Sequence, residues 1–113
     1  MDFFFIGEAE LVTAFRFVGI SGAPVSDAAA ARLVFRRMTE GYDETAGAVI
    51  PGIEKCRVLI LTEEVADWLG ELLINWQLSD QYPLIVEVPG LLGRLPGRQT
   101  LVDSIREAIG IHV

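Results

Sequence analysis

Glu8, Glu63 and Glu64 each follow directly on a short apolar run, Glu8 after FFFIG and the pair after VLILT. If those runs are neighbouring strands, the three carboxylates meet at adjacent strand ends and offer hard oxygen ligands for Mg²⁺, as in phosphoryl-transfer sites. A simpler explanation competes with that one. Acids are expected in the first turn of a helix because the macrodipole stabilises them there, and this reading is preferred. Nucleotide binding would need G-x-G-x-x-G after the first strand, so that backbone amides can touch a pyrophosphate, or a G-x-x-x-x-G-K-[ST] loop. Gly7 stands alone, Glu8 and Glu10 would repel an anion, and neither run occurs. A phosphoryl-accepting receiver needs an aspartate at the end of its middle strand, where this chain has Leu61 and Thr62. His112, the sole histidine, lies where chains usually fray and is not expected to be a catalytic base. No catalytic, cofactor or metal residue is therefore assigned.

Composition narrows the classes further. The 113 residues are 51% hydrophobic, enough for one core and one domain. Sixteen acids against nine Lys and Arg give a net charge of −7, and the basic residues show no cluster beyond Arg36-Arg37. A nucleic-acid partner is not expected, because phosphate binding requires a concentrated cationic patch. Cys56 is the one cysteine, which excludes an intrachain disulfide and fits a small buried hydrophobe. The opening MDFFFIGEAE lacks a basic segment and breaks at Gly7 and Glu8, so it reads as neither signal peptide nor membrane span. No run reaches the roughly 18 to 20 apolar residues that spanning takes, so no direct membrane insertion is expected.

The elements that would position these residues follow from the apolar pattern. Phe3 to Ile6, Val58 to Leu61 and Leu84 to Val88 are short, nearly continuous runs, the signature of parallel strands covered on both faces. A weaker strand is expected near Ala23 to Val25. Glu87 interrupts the last run, which predicts an edge strand with one face toward water. Leu11, Val12, Phe15 and Val18 share one face of a helix over 8–18 that Gly19 closes. Ser26 is the expected N-cap of a second helix running to about Met38. A third starts after Thr62 with a core stripe of Val65, Leu69, Leu72, Leu73 and Trp76; Trp68 and Trp76 are expected as core or interface anchors.

Thr100 and Asp103 are spaced as a capping box, and Leu101, Val102, Ile105 and Ile109 share the apolar face of a last short helix. The Gly- and Pro-dense PGLLGRLPGRQ precedes it. The expected organisation is an α/β domain over 1–89, a linker over 90–99 and a separable C-terminal helix over 100–113. Alternating strands and helices imply a small three-layer, receiver-like fold around a parallel sheet of about four strands. The stretch 40–55 shows no firm period. Phe35, away from the Leu33 and Val34 stripe, and Ile74, opposite the third helix's core face, are candidate partner contacts beside Leu101, Val102, Ile105 and Ile109.

Read in order, FFFIGEAELVTAFRFVGI, RVLILTEEVADWL, YPLIVEVPG and SIREAIGI resemble the successive signatures of the F subunit of the V-type and archaeal-type ATPases. F-R-x-x-G-I is matched by Phe15, Arg16, Gly19 and Ile20, T-E-E by Thr62 to Glu64, E-[IV]-P by Glu87 to Pro89, and S-I-R by Ser104 to Arg106. An A-I-G-I end is matched by Ala108 to Ile111. The stretch 40–55 looks longer than is usual in that family, and the alanine-rich second helix matches in pattern only. The resemblance implies a non-catalytic central-stalk subunit, cytoplasmic and peripheral to the membrane through its complex. It also implies contact with an elongated coiled-coil partner, the D subunit, and a share in coupling ATP hydrolysis or synthesis to H⁺ or Na⁺ transport. The family's C-terminal helix contributes to the stalk contact and to regulation. The rival readings are a receiver-like signalling or protein-interaction module, and an Mg²⁺ enzyme using Glu8, Glu63 and Glu64.

Overall fold

A computed structural model describes residues 2–43, 45–49 and 56–93. The apolar runs form strands β1 (Phe3–Gly7), β5 (Val58–Thr62) and β6 (Leu84–Val88), and the weaker one is β2 (Ser21–Pro24), starting two residues earlier than expected. They make one parallel sheet in the order β2-β1-β5-β6. This is a small three-layer α/β fold. The two inner strands are the most apolar, and Phe5, Ile6, Leu59 and Leu61 are fully buried.

One face of the sheet carries α1 (Ala9–Phe17), which packs on β1 and β2. Its apolar side meets Phe5 and Ile60, with the Phe5 and Phe15 rings stacked at 4.4 Å. The helix ends at Val18, and Gly19 follows at φ +87° as the expected closing glycine. The other face carries α2 (Ala28–Glu40), α3 (Glu63–Leu69) and α4 (Glu71–Leu78), centred on Ile6, Leu59, Leu61 and Phe35.

Several helix details differ from expectation. Asp27 rather than Ser26 caps α2, its carboxylate accepting from the Ala30 N–H at 2.7 Å, and the helix runs on to Glu40. The third helix is two helices, because Gly70 sits at φ +55°, ψ −124°, a conformation that ends the hydrogen-bond ladder and that a Cβ would strain. The expected stripe survives the break: Val65, Leu69 and Leu73 are buried, while Leu72 and Trp76 are partly so. Trp76 donates from Nε1 to the Pro83 carbonyl at 3.0 Å and meets the Phe35 ring edge-on. Stretch 40–55 contains a small antiparallel hairpin, β3 (Tyr42–Asp43) with β4 (Ala48–Val49). Arg36 on α2 lies over the Tyr42 ring at 3.9 Å.

Phe35 is corrected outright. It is 1% exposed and lies at the middle of the larger core, so it is no surface contact. The buried face of α2 is Ala31, Phe35, Met38 and Thr39, spaced by three and four. Leu33 and Val34 suggest another face in the sequence, because small Ala31 and polar Thr39 disguise the true one. Phe35→Ala is expected to cost about 3–5 kcal/mol, as truncation of a buried ring does. Urea unfolding checks it, and an unchanged midpoint would return Phe35 to the surface.

Candidate functional site

In open parallel sheets a crevice forms where the connections from adjacent strands depart to opposite sides. Here the chain leaves β1 through α1 toward β2, and leaves the adjacent β5 through α3 and α4 toward β6 on the other side, which places the crevice between β1 and β5. A cavity of about 440 Å³ lies there, walled by Val25, Val65 and Trp68 and rimmed by Glu8, Glu10 and Glu64. Among the described residues no Lys or Arg lines it. Its described rim offers a phosphate carboxylates, which is the opposite of a nucleotide cradle.

The three glutamates singled out for Mg²⁺ do not share this cavity. Glu8 precedes α1, and its Oε1 accepts from the Leu91 N–H at 3.2 Å. It lies so close to Gly90 that a side chain at that position would collide with it. Glu63 is 3% exposed and does not line the cavity, whereas Glu64 faces it and is exposed. Among the described residues no group of three His, Cys, Asp or Glu could hold a metal ion. Glu63 and Glu64 do occupy the first turn of α3. Thr62 both ends β5 and caps that helix, its Oγ1 accepting from the Val65 N–H at 3.2 Å. The middle-strand terminus that a receiver reserves for its aspartate therefore holds a buried threonine committed to a cap.

Cys56 is buried in the larger core, and loss of solvation pushes its thiol above the ordinary value. It is a packing residue rather than a nucleophile.

Ile74 is 53% exposed on α4, as its position opposite the core face of Leu69, Leu73 and Trp76 requires, with Leu78 beside it one turn on. Leu101, Val102, Ile105 and Ile109, together with the 90–99 linker beyond Gly93 and the 100–113 helix, lie outside the described residues. Sequence reasoning missed a different surface. β6 is the edge strand that Glu87 suggested, yet its more open side is the apolar one. Leu84 and Val86 are 51% and 44% exposed, while Ile85 packs on the larger core. The signal was present in the alternation of Leu84, Val86 and Val88, but their exposure depends on how many helices the described residues place on each face.

Fold and crevice define a small doubly wound α/β domain with acidic helix starts at its strand ends and apolar side chains left on its surface. The family model for the ATP synthase (F/14-kDa) subunit matches residues 4–109, and the chain belongs to that family. Its partners are accordingly other subunits of a rotary ATPase. No curated protein matches the chain. No helix among the described residues is long and apolar enough to cross a membrane.

Two outcomes are expected from these geometries. Millimolar Mg²⁺ should produce no binding heat and leave the melting temperature unchanged, and a saturable isotherm lost in Glu64→Gln would contradict this. Burial that raises the Cys56 pKa withholds ionisation from the folded state alone. Its stabilising contribution is therefore complete below the unfolded thiol's pKa and is lost as pH rises past it toward the folded value. Urea midpoints of the wild type should fall more steeply above about pH 9 than those of Cys56→Ala.

Proposed function

We propose that the chain is a non-catalytic central-stalk subunit of a V/A-type rotary ATPase. It turns with an elongated coiled-coil subunit, the D subunit of such complexes, and couples ATP hydrolysis or synthesis to H⁺ or Na⁺ transport by contact alone. It works in the cytoplasm, held at the membrane through the complex. The observation that carries this reading is the family match over 4–109, which spans the α/β body and reaches into the C-terminal segment. The crevice supports it from chemistry, since among the described residues its walls are apolar and its rim is acidic.

A stalk subunit needs surfaces that a helical partner can cover. Leu101, Val102, Ile105 and Ile109 form one apolar stripe at helical spacing. A helix of about ten residues is too short to be stable alone in water, so that stripe must be buried against something. In the assembled complex the partner's helices bury it, with Ile74 a second contact on the body.

Removing the residues after Arg98 should leave circular dichroism close to that of the full chain while weakening binding to the coiled-coil subunit by about tenfold or more, the effect of losing a few anchors. Calorimetry with that subunit measures it. Undiminished binding places the contact elsewhere on the body, and outright unfolding makes the helix part of the core. Ile74→Glu in the full chain should lower the affinity with no change in melting temperature.

A further inference from the structure

The cavity between β1 and β5 is more acidic than the helix starts around it require. Its walls are Val25 and Val65, both buried, and Trp68, half-buried against the larger core. Its rim carries three carboxylates, Glu8 and Glu10 at the start of α1 and Glu64 in the first turn of α3. A helix N-terminus is worth about half a positive charge. The dipoles of α1 and α3 thus offset about one of those negative charges, and that of α2 is met by Asp27 at its own cap. The Arg32 guanidinium lies on the Trp68 carbonyl at 3.5 Å and does not line the cavity. Among the described residues, roughly two negative charges are left over around an apolar floor.

That arrangement does not suit a metal ion. Ca²⁺ and Mg²⁺ need several oxygens converging at about 2.0–2.6 Å on one point, and no group of three acids among the described residues could supply them. Glu8 moreover has its Oε1 on the Leu91 N–H at 3.2 Å. An anion would be repelled by the rim. An apolar floor ringed by separated carboxylates is complementary instead to an apolar side chain flanked by cations, because the long stems of Lys and Arg can lie on apolar surface while their heads reach the rim. At about 440 Å³ the cavity falls within the roughly 300–1,000 Å³ of ordinary ligand sites, ample for one large side chain.

We infer that the crevice docks a basic segment of another subunit of the rotary ATPase. An apolar side chain of that segment enters between Val25, Val65 and Trp68, and Lys or Arg on either side of it pair with Glu10 and Glu64. The buried side chain supplies most of the affinity, and the charged ring selects the partner and speeds the encounter. The inference rests on family membership for the partner's being a subunit of the complex, and on nothing about which subunit that is.

Two-dimensional amide NMR of the intact chain with a blocked Arg-Leu-Arg tripeptide tests it. The amides of 8–10, 25–26 and 62–65 and the Trp68 indole N–H should shift and saturate, while the Trp76 indole, bonded to the Pro83 carbonyl, stays in place. Blocked Glu-Leu-Glu should shift none of them, and Arg-Gly-Arg should need about tenfold more peptide because it leaves the floor unfilled. Full-length Glu10→Gln/Glu64→Gln should bind Arg-Leu-Arg about fivefold more weakly, the effect of losing two exposed ion pairs, with the rest of its spectrum that of the folded chain. In the reconstituted complex, photoreactive benzoylphenylalanine in place of Ser26 should cross-link to a segment of another subunit that carries an apolar residue between Lys or Arg. The inference is overturned if Arg-Leu-Arg shifts nothing, if Glu-Leu-Glu shifts the same amides, or if the double variant binds as tightly as the wild type. It is overturned equally if the peptide binds only after Lys55, Arg94, Arg98 and Arg106 are replaced by Ala, because a cation of this chain would then be the occupant. A cross-link confined to this chain, or to a segment without basic residues, also overturns it. Which subunit is reached does not affect the crevice, so the stalk reading can fail without it.

Discussion

Burial of β1 and β5 on both faces is the constraint that orders the rest of this molecule. Phe5 and Ile60 are buried on one side of the inner strands and Ile6, Leu59 and Leu61 on the other, so each face must carry helices over them. Parallel pairing then forces every connection to cross from one end of the sheet to the other, and right-handed crossovers decide which face each helix serves. With β1 in the interior of the sheet, α1 falls on one side and α2, α3 and α4 on the other. Among the described residues, the unequal number of helices on the two faces follows from strand order.

The same geometry explains why a crevice opens at the strand ends. A crevice between β1 and β5 is unavoidable once the chain departs from β1 in one direction and from β5 in the other. The loops decide which groups fill it. Glu63 and Glu64 lie where a helix start favours acids, and Thr62 completes the cap of α3. Glu8 holds the backbone just beyond β6. Thr62 and Glu8 are both committed to the protein's own backbone.

The sequence disclosed strands more readily than helix faces. Uninterrupted runs such as VLILT have one reasonable interpretation, and the inner strands were legible almost to the residue. The buried side of α2 was not, because its spacing is carried by Ala31 and Thr39, which give little hydrophobic signal, while Leu33 and Val34 give a strong one elsewhere. Gly70 was visible as a residue but not as a break, since the apolar period of Leu69, Leu73 and Trp76 continues across it. Asp27 and Ser26 are both good caps, and only the fold chooses between them. Among candidate contacts, Ile74 stood out by its position opposite the core face of Leu69, Leu73 and Trp76. Leu84 and Val86 did not, because exposure on a strand depends on which other elements the fold places over it. Glu87 gave the edge correctly for that strand, yet the side it occupies is not the open apolar one.

A protein that works by contact must turn over nothing by itself and yet change the rate of the assembly that holds it. ATP turnover measured for the isolated chain, and for a rotary ATPase reconstituted with and without it, separates the two kinds of action. Contact coupling predicts no turnover by the chain and a rate of the complex that depends on its presence. ATP hydrolysis by the purified chain, abolished by Glu63→Gln, would contradict it.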